Sequence, residues 1–159
     1  ICPPRGAGRG PVSHSRTGSG SFTARGAVAE MLVIDASVAL AASSSPDGFR
    51  LLREELVAPP LLWSEFRSVL HEAVWRGDIS ETLARRALEA FARSGVRERR
   101  HRRLGETAWR IADELGFAKT YDAEYLALAE LLGCRLVKLD RRLRRGADRL
   151  GLVVGPDEL

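Results

Sequence analysis

Leu32-Val33-Ile34-Asp35-Ala36-Ser37 constrains what this chain can fold into more than any other stretch of it. Three apolar residues run directly into an aspartate, and a small hydroxyl residue follows two places later. A run this short, apolar without alternation, predicts a strand covered on both faces, as in a parallel sheet. In open parallel sheets the ligand crevice lies beyond the carboxyl ends of the strands. Asp35 falls at such an end, where burial is incomplete and a charge can be used.

The remainder alternates short apolar runs with helical patterns. Residues 37–42 begin a short helix that Ser43-Ser44-Ser45-Pro46 breaks, and a second is expected over about residues 48–55. Leu56-Val57-Ala58 is a minimal strand closed by Pro59-Pro60. Leu62, Phe66, Val69, Leu70, Ala73 and Val74 then form one apolar stripe of a helix that Gly77 ends. Ser80 caps the next helix, whose stripe is Leu83, Ala84, Ala87, Leu88 and Phe91. These two should pair as an antiparallel hairpin. Residues 96–103 form a charged connector with room for a short strand. A helix marked by Leu104, Ala108, Ile111, Ala112 and Leu115 stops at Gly116, and another covers about residues 121–132. Residues 135–139 predict a strand ending at Asp140, followed by a short basic helix and a last strand at Leu152-Val153-Val154. Strands alternating with helices imply an α/β sandwich with a parallel sheet.

A length of 159 residues fits one domain with a real core. Residues 1–30 are Gly-, Ser-, Arg-, Ala- and Pro-rich without hydrophobic period, so they cannot offset their ordering entropy. Met31 is the only methionine and stands just before the first strand. Residues 1–30 are therefore expected to be a disordered or non-native tail, and residues 31–159 the folded domain. The tail also carries most of the formal charge of +4, leaving a nearly neutral domain for which charge alone does not argue nucleic acid. Cys2 and Cys134 have no ligand-like spacing, against a disulfide framework or a zinc site. No stretch approaches the roughly 20 apolar residues of a membrane span, and the tail lacks the apolar core of a secretory signal. A cytoplasmic location is expected.

Four acids stand where such a fold could gather them. Asp35 and Asp140 end strands, and either could simply cap the following helix. Glu65 lies about 60° from Leu62 and about 40° from Val69 around its helix, at the border of the buried stripe. Glu72 shares that border as a bystander. Asp122 sits in a first helical turn, where the dipole favours an anion. Glu124, roughly 200° further round, should point elsewhere. Four separate caps or edge residues would explain these positions one at a time. Gathered at one sheet edge, however, carboxylates repel strongly, and something positive must relieve them. An all-oxygen set without histidine suits Mg²⁺ or Mn²⁺ and not zinc. Phosphodiester hydrolysis is the natural chemistry of such a centre.

Four segments, Val33-Ile34-Asp35-Ala36-Ser37, Ala58-Pro59-Pro60-Leu61-Leu62-Trp63-Ser64-Glu65, Tyr121-Asp122-Ala123-Glu124-Tyr125 with its apolar continuation, and Leu139-Asp140-Arg141-Arg142-Leu143, occur in an order and spacing that resemble a PIN domain of the VapC toxin ribonuclease type. The resemblance runs from Met31 almost to the C-terminus. It implies a three-layer α/β sandwich with a central parallel sheet of four or five strands flanked by helices. It further implies a metal-dependent endoribonuclease, with Asp35, Glu65, Asp122 and Asp140 as the metal-binding acids and Ser37 orienting Asp35. In-line attack by water would leave a 5′-phosphate and a 3′-hydroxyl. Homodimers, a structured RNA substrate and inhibition by a cognate antitoxin are the partners it implies. One position departs: where this family usually has Thr or Ser, two residues before the last aspartate, this chain has Lys138. If Lys138 faces the site it could hold a phosphate, or pair with a carboxylate and weaken the metal.

Arg97 to Arg103 and Arg141 to Arg145 are basic runs, for which solvated surface is the ordinary reading; the second follows Asp140 and could contact phosphates. Trp63, Trp75 and Trp109 lie on helices and are expected in core or interface. Two other functions compete. A PIN fold that binds RNA or a partner without cutting would let Lys138 replace the metal, but four retained carboxylates speak against it. An aspartyl-phosphate domain using Asp35 would want a second acid close by, and residue 37 is Ser.

Overall fold

The apolar run before Asp35 forms β1 (Met31–Ile34), the central strand of a five-stranded sheet. The computed structural model describes residues 31–139 and 150–155. β2 (Glu55–Ala58) and β4 (Arg135–Val137) flank β1, with Leu32 opposite Leu56 on one side and Arg135 on the other. β3 (Arg97–Glu98) and β5 (Val153–Val154) form the edges, in the order β3-β2-β1-β4-β5, and every pairing is parallel. Central position explains the unbroken apolar run: Leu32, Val33 and Ile34 are all fully buried. The edge strands are two residues long, and the charged side chains of β3 face solvent, which discourages further pairing. The whole is the expected α/β three-layer sandwich.

α1 (Ala36–Ser43) starts directly from Asp35. α2 (Leu61–Arg76) buries Leu62, Phe66 and Leu70, and ends at Gly77, whose φ of 78° only glycine adopts freely. α3 (Glu81–Ala92) begins at Ser80, whose hydroxyl accepts the Leu83 N–H at 3.2 Å. Phe91 of α3 stacks on Phe66 with ring centroids 4.3 Å apart, which locks the hairpin to the core. α4 (Leu104–Leu115) packs on α5 (Tyr121–Leu132), and α5 in turn lies against β1 and β4. α5 buries Ala123 and every residue of 125–129, so it is covered nearly all round.

Several expectations change in detail. The helix expected over residues 48–55 is a 3₁₀ turn, Gly48–Leu51, and Glu55 already belongs to β2. Gly48 is required there: a Cβ would sit 2.1 Å from the Ala42 carbonyl oxygen. β4 ends at Val137, although the Lys138 N–H still bonds the Val154 carbonyl at 3.1 Å. Leu83 and Leu88 are exposed at the margins of their stripe, and Trp75 and Trp109 face solvent; only Trp63 packs inward, on Phe91. The helix expected after Asp140 lies outside the described residues. Among the described residues, no helix is long and apolar enough to cross a membrane.

Candidate active site

Asp35 leaves β1 and opens α1, and its carboxylate serves both positions. Oδ1 accepts the Val38 N–H at 2.9 Å and the Ser37 hydroxyl at 2.7 Å, a helix cap with a second donor. Oδ2 stays out of that local pattern and faces Lys138, whose Nζ lies 3.1 Å away. The helix cap and the contact with Lys138 thus use different oxygens of one group. The side chain is 6% exposed, so its orientation is fixed.

Sheet register brings the partner. Ile34 lies opposite Val137, so the next residues, Asp35 and Lys138, emerge side by side at the carboxyl edge. Asp122 arrives from the first turn of α5, with Oδ1 2.5 Å from Lys138 Nζ. The Lys138 side chain is 7% exposed. Burial works against its charge, but Asp35 and Asp122 outweigh it, and the ammonium is held above the ordinary lysine value.

Glu65 enters from α2, where its Oε2 accepts a hydrogen bond from the Tyr125 hydroxyl at 2.6 Å. Tyr125 is a buried residue of α5. Burial first, then the hydrogen bond and charge of Glu65, with Asp35 and Glu124 adding, hold the phenol far above its usual range. It is therefore a neutral donor, within electrostatic reach of three carboxylates.

Asp35 and Asp122 meet through Lys138, Ser37 anchors Asp35, and Glu65 joins through Tyr125. Asp140 lies outside the described residues. The signal for Tyr125 in the sequence is a tyrosine one turn after Asp122 in an apolar helix, where its hydroxyl needs a hydrogen-bond partner. Glu124, expected to point elsewhere, lies near the site. The angular separation from Asp122 is sound, but it carries Glu124 toward Glu65, whose charge acts on it. Burial and then Glu65 raise the Glu124 carboxyl above 4.5. Its charge consequently costs stability above the raised value and nothing below the unfolded one. Glu124→Gln is expected to melt higher than wild type at pH 7.5, by about 1–2 °C, with the advantage gone near pH 4. A variant less stable at pH 7.5, by thermal melts across that range, would contradict this.

Carboxylate oxygens with a hydroxyl and no histidine fit a hard divalent cation in kind. Among the described residues, no three such groups converge closely enough to hold one. The place between Asp35 and Asp122 is taken by the Lys138 ammonium instead.

The first basic run is solvated surface. Arg97 and Arg99 pair with Glu55, and Arg100 with Glu98. The second run lies outside the described residues.

Residues 32–149 match the PIN domain family. VapC ribonuclease Mb0985 of Mycobacterium bovis and Ribonuclease VapC9 of Mycobacterium tuberculosis are each 40% identical to this chain over 115 residues, spanning 71% of it and 88% of the relative. The crystal structure of PAE2754 from Pyrobaculum aerophilum is similar with a TM-score of 0.67 at 28% identity, covering 84% of this chain and 94% of that one. A toxin-antitoxin complex from Klebsiella pneumoniae shares the fold, with a TM-score of 0.56 at 17% identity over 79% of this chain and 97% of that one.

Proposed function

This chain belongs to the PIN domain family and is of the VapC type, and from that premise we propose that it is a toxin endoribonuclease, cutting RNA at the carboxyl edge of its sheet with a divalent cation. The observation that carries the reading is the meeting of the buried Asp35, just after β1, and the half-exposed Asp122, from α5, on one ammonium. Asp35, Asp122, Glu65 and Asp140 are the residues that would hold Mg²⁺ or Mn²⁺. When bound, such a cation supplies Lewis acidity toward the phosphodiester and the attacking water. The chain's own part is positioning. Ser37 and the Val38 N–H fix Asp35 so that Oδ2 points into the site, and Tyr125 fixes Glu65 in the same manner. Residues 31–159 are the active unit. The partners that follow from the family are structured RNA, a cognate antitoxin covering the acidic edge, and a second copy of the chain, in the cytoplasm.

Lys138 favours one alternative, a PIN fold that binds RNA or a partner without cutting, since its ammonium already pairs with two of the acids. Cleavage decides between them. Purified chain incubated with total bacterial RNA is expected to release discrete fragments with Mg²⁺ or Mn²⁺ and none with EDTA. A folded chain that leaves RNA intact under every cation tried would favour the alternative.

A further inference from the structure

Arginine supplies nearly all the basic residues of this chain; its two lysines are Lys119 and Lys138. Lys119 lies over the exposed Tyr121 ring. Lys138 is buried, its ammonium lying between two carboxylates from different elements. Its backbone is pinned, because the Lys138 N–H bonds Val154 beyond the end of β4. Only the side chain can withdraw. The oxygen it takes from Asp35 is Oδ2, the one that Ser37 and Val38 leave available. Asp35 Oδ2 and Asp122 Oδ1, both taken by Lys138, are oxygens these two residues would otherwise offer to a divalent cation.

We propose that Lys138 is a built-in counter-ion of the acidic centre, which holds Asp35 and Asp122 together without metal and competes with a divalent cation for the same oxygens. The inference rests on reading the site as a cation centre. Three consequences follow from competition. Without metal, removing the ammonium leaves the buried Asp35 carboxylate unpaired beside the half-exposed Asp122, so the protein loses stability. With metal, the same removal frees both oxygens, so affinity rises. In the wild type, metal must drive the ammonium out, so the centre fills only at higher cation concentration than a neutral residue would allow.

The test uses Mn²⁺ and the full chain, without RNA. Wild type, Lys138→Thr and Lys138→Met are melted in EDTA and titrated with Mn²⁺, free Mn²⁺ being read by electron paramagnetic resonance. Both variants are expected to melt lower in EDTA, by about 5 °C or more. Both are expected to bind Mn²⁺ about tenfold tighter than wild type, or more. Equal or weaker Mn²⁺ binding by folded variants, with wild type binding, overturns the competition and leaves the cation reading standing. No binding by any of the three folded chains overturns the reading and the inference together. Should neither variant fold, wild type decides alone: acetylation of Lys138, measured by mass spectrometry against Lys119, must rise several-fold as Mn²⁺ saturates. Labelling that Mn²⁺ does not change overturns the proposal.

Discussion

Asp35→Asn is expected to lower RNA cleavage by about 10²–10³-fold, the size seen when one preorganised electrostatic group is removed from an active site. The substitution separates the two jobs of this residue. Asparagine is a good helix cap, so the Val38 N–H and the Ser37 hydroxyl keep an acceptor. The negative charge on the Oδ2 side is lost, and with it one of the two carboxylate partners of Lys138 and one of the proposed cation ligands. The fold should survive, with a lowered melting temperature, because the asparagine amide nitrogen then faces the buried Lys138 ammonium in place of Oδ2. Ser37→Ala removes only one donor from Oδ1 and should cost about tenfold or less. Rates measured on one defined RNA, beside thermal melts of each protein, check both. An Asp35→Asn enzyme within a few-fold of wild type would remove Asp35 from the chemistry.

Phe66→Ala should give the largest loss of stability, about 3–5 kcal/mol. Phe66 is 1% exposed and stacked on Phe91, which also meets Trp63 and Phe49 at 5.9 and 6.4 Å. Truncation leaves a cavity under the α2–α3 hairpin that these rings cannot close without moving α3. Glu65 is the preceding residue on α2, so the loosened helix should also blur the Glu65–Tyr125 bond and lower activity in what remains folded. Urea titration provides the measurement, with Phe66→Leu as the volume control. A loss under about 1 kcal/mol would mean the rings contribute far less than their burial implies.

How much of this was legible depends on whether a feature is local. Val33-Ile34 before Asp35, Ser80 before α3 and Gly77 after α2 are written within a few residues, and each does what its local chemistry dictates. The width of an apolar stripe is less local. Leu83 and Leu88 fall on the periodic face of α3, yet they are 50% and 38% exposed, because period gives a direction and not the extent of the neighbouring layer. α5 is harder again. Nearly every side of it is apolar, so period says nothing about which residue meets which neighbour. The Tyr125–Glu65 bond joins residues 60 positions apart and depends on the crossing of two helices. Lys138 was readable as a departure, and strand alternation placed it on the site's face. That it would bridge Asp35 and Asp122 required the β1–β4 register and the docking of α5, which no window of sequence contains.

The most direct test of the proposed chemistry is the identity of the RNA ends. Water attacking phosphorus at the proposed centre, with the 3′-oxygen as the leaving group, leaves a 5′-phosphate and a 3′-hydroxyl. Attack by the RNA's own 2′-hydroxyl needs no such centre, and leaves a 5′-hydroxyl with a 2′,3′-cyclic phosphate. Fragments made by the purified chain with Mn²⁺ are therefore expected to be substrates for a 5′-phosphate-dependent exonuclease without prior kinase treatment. Fragments that resist that exonuclease until a kinase phosphorylates them would contradict a hydrolytic centre built on Asp35 and Asp122.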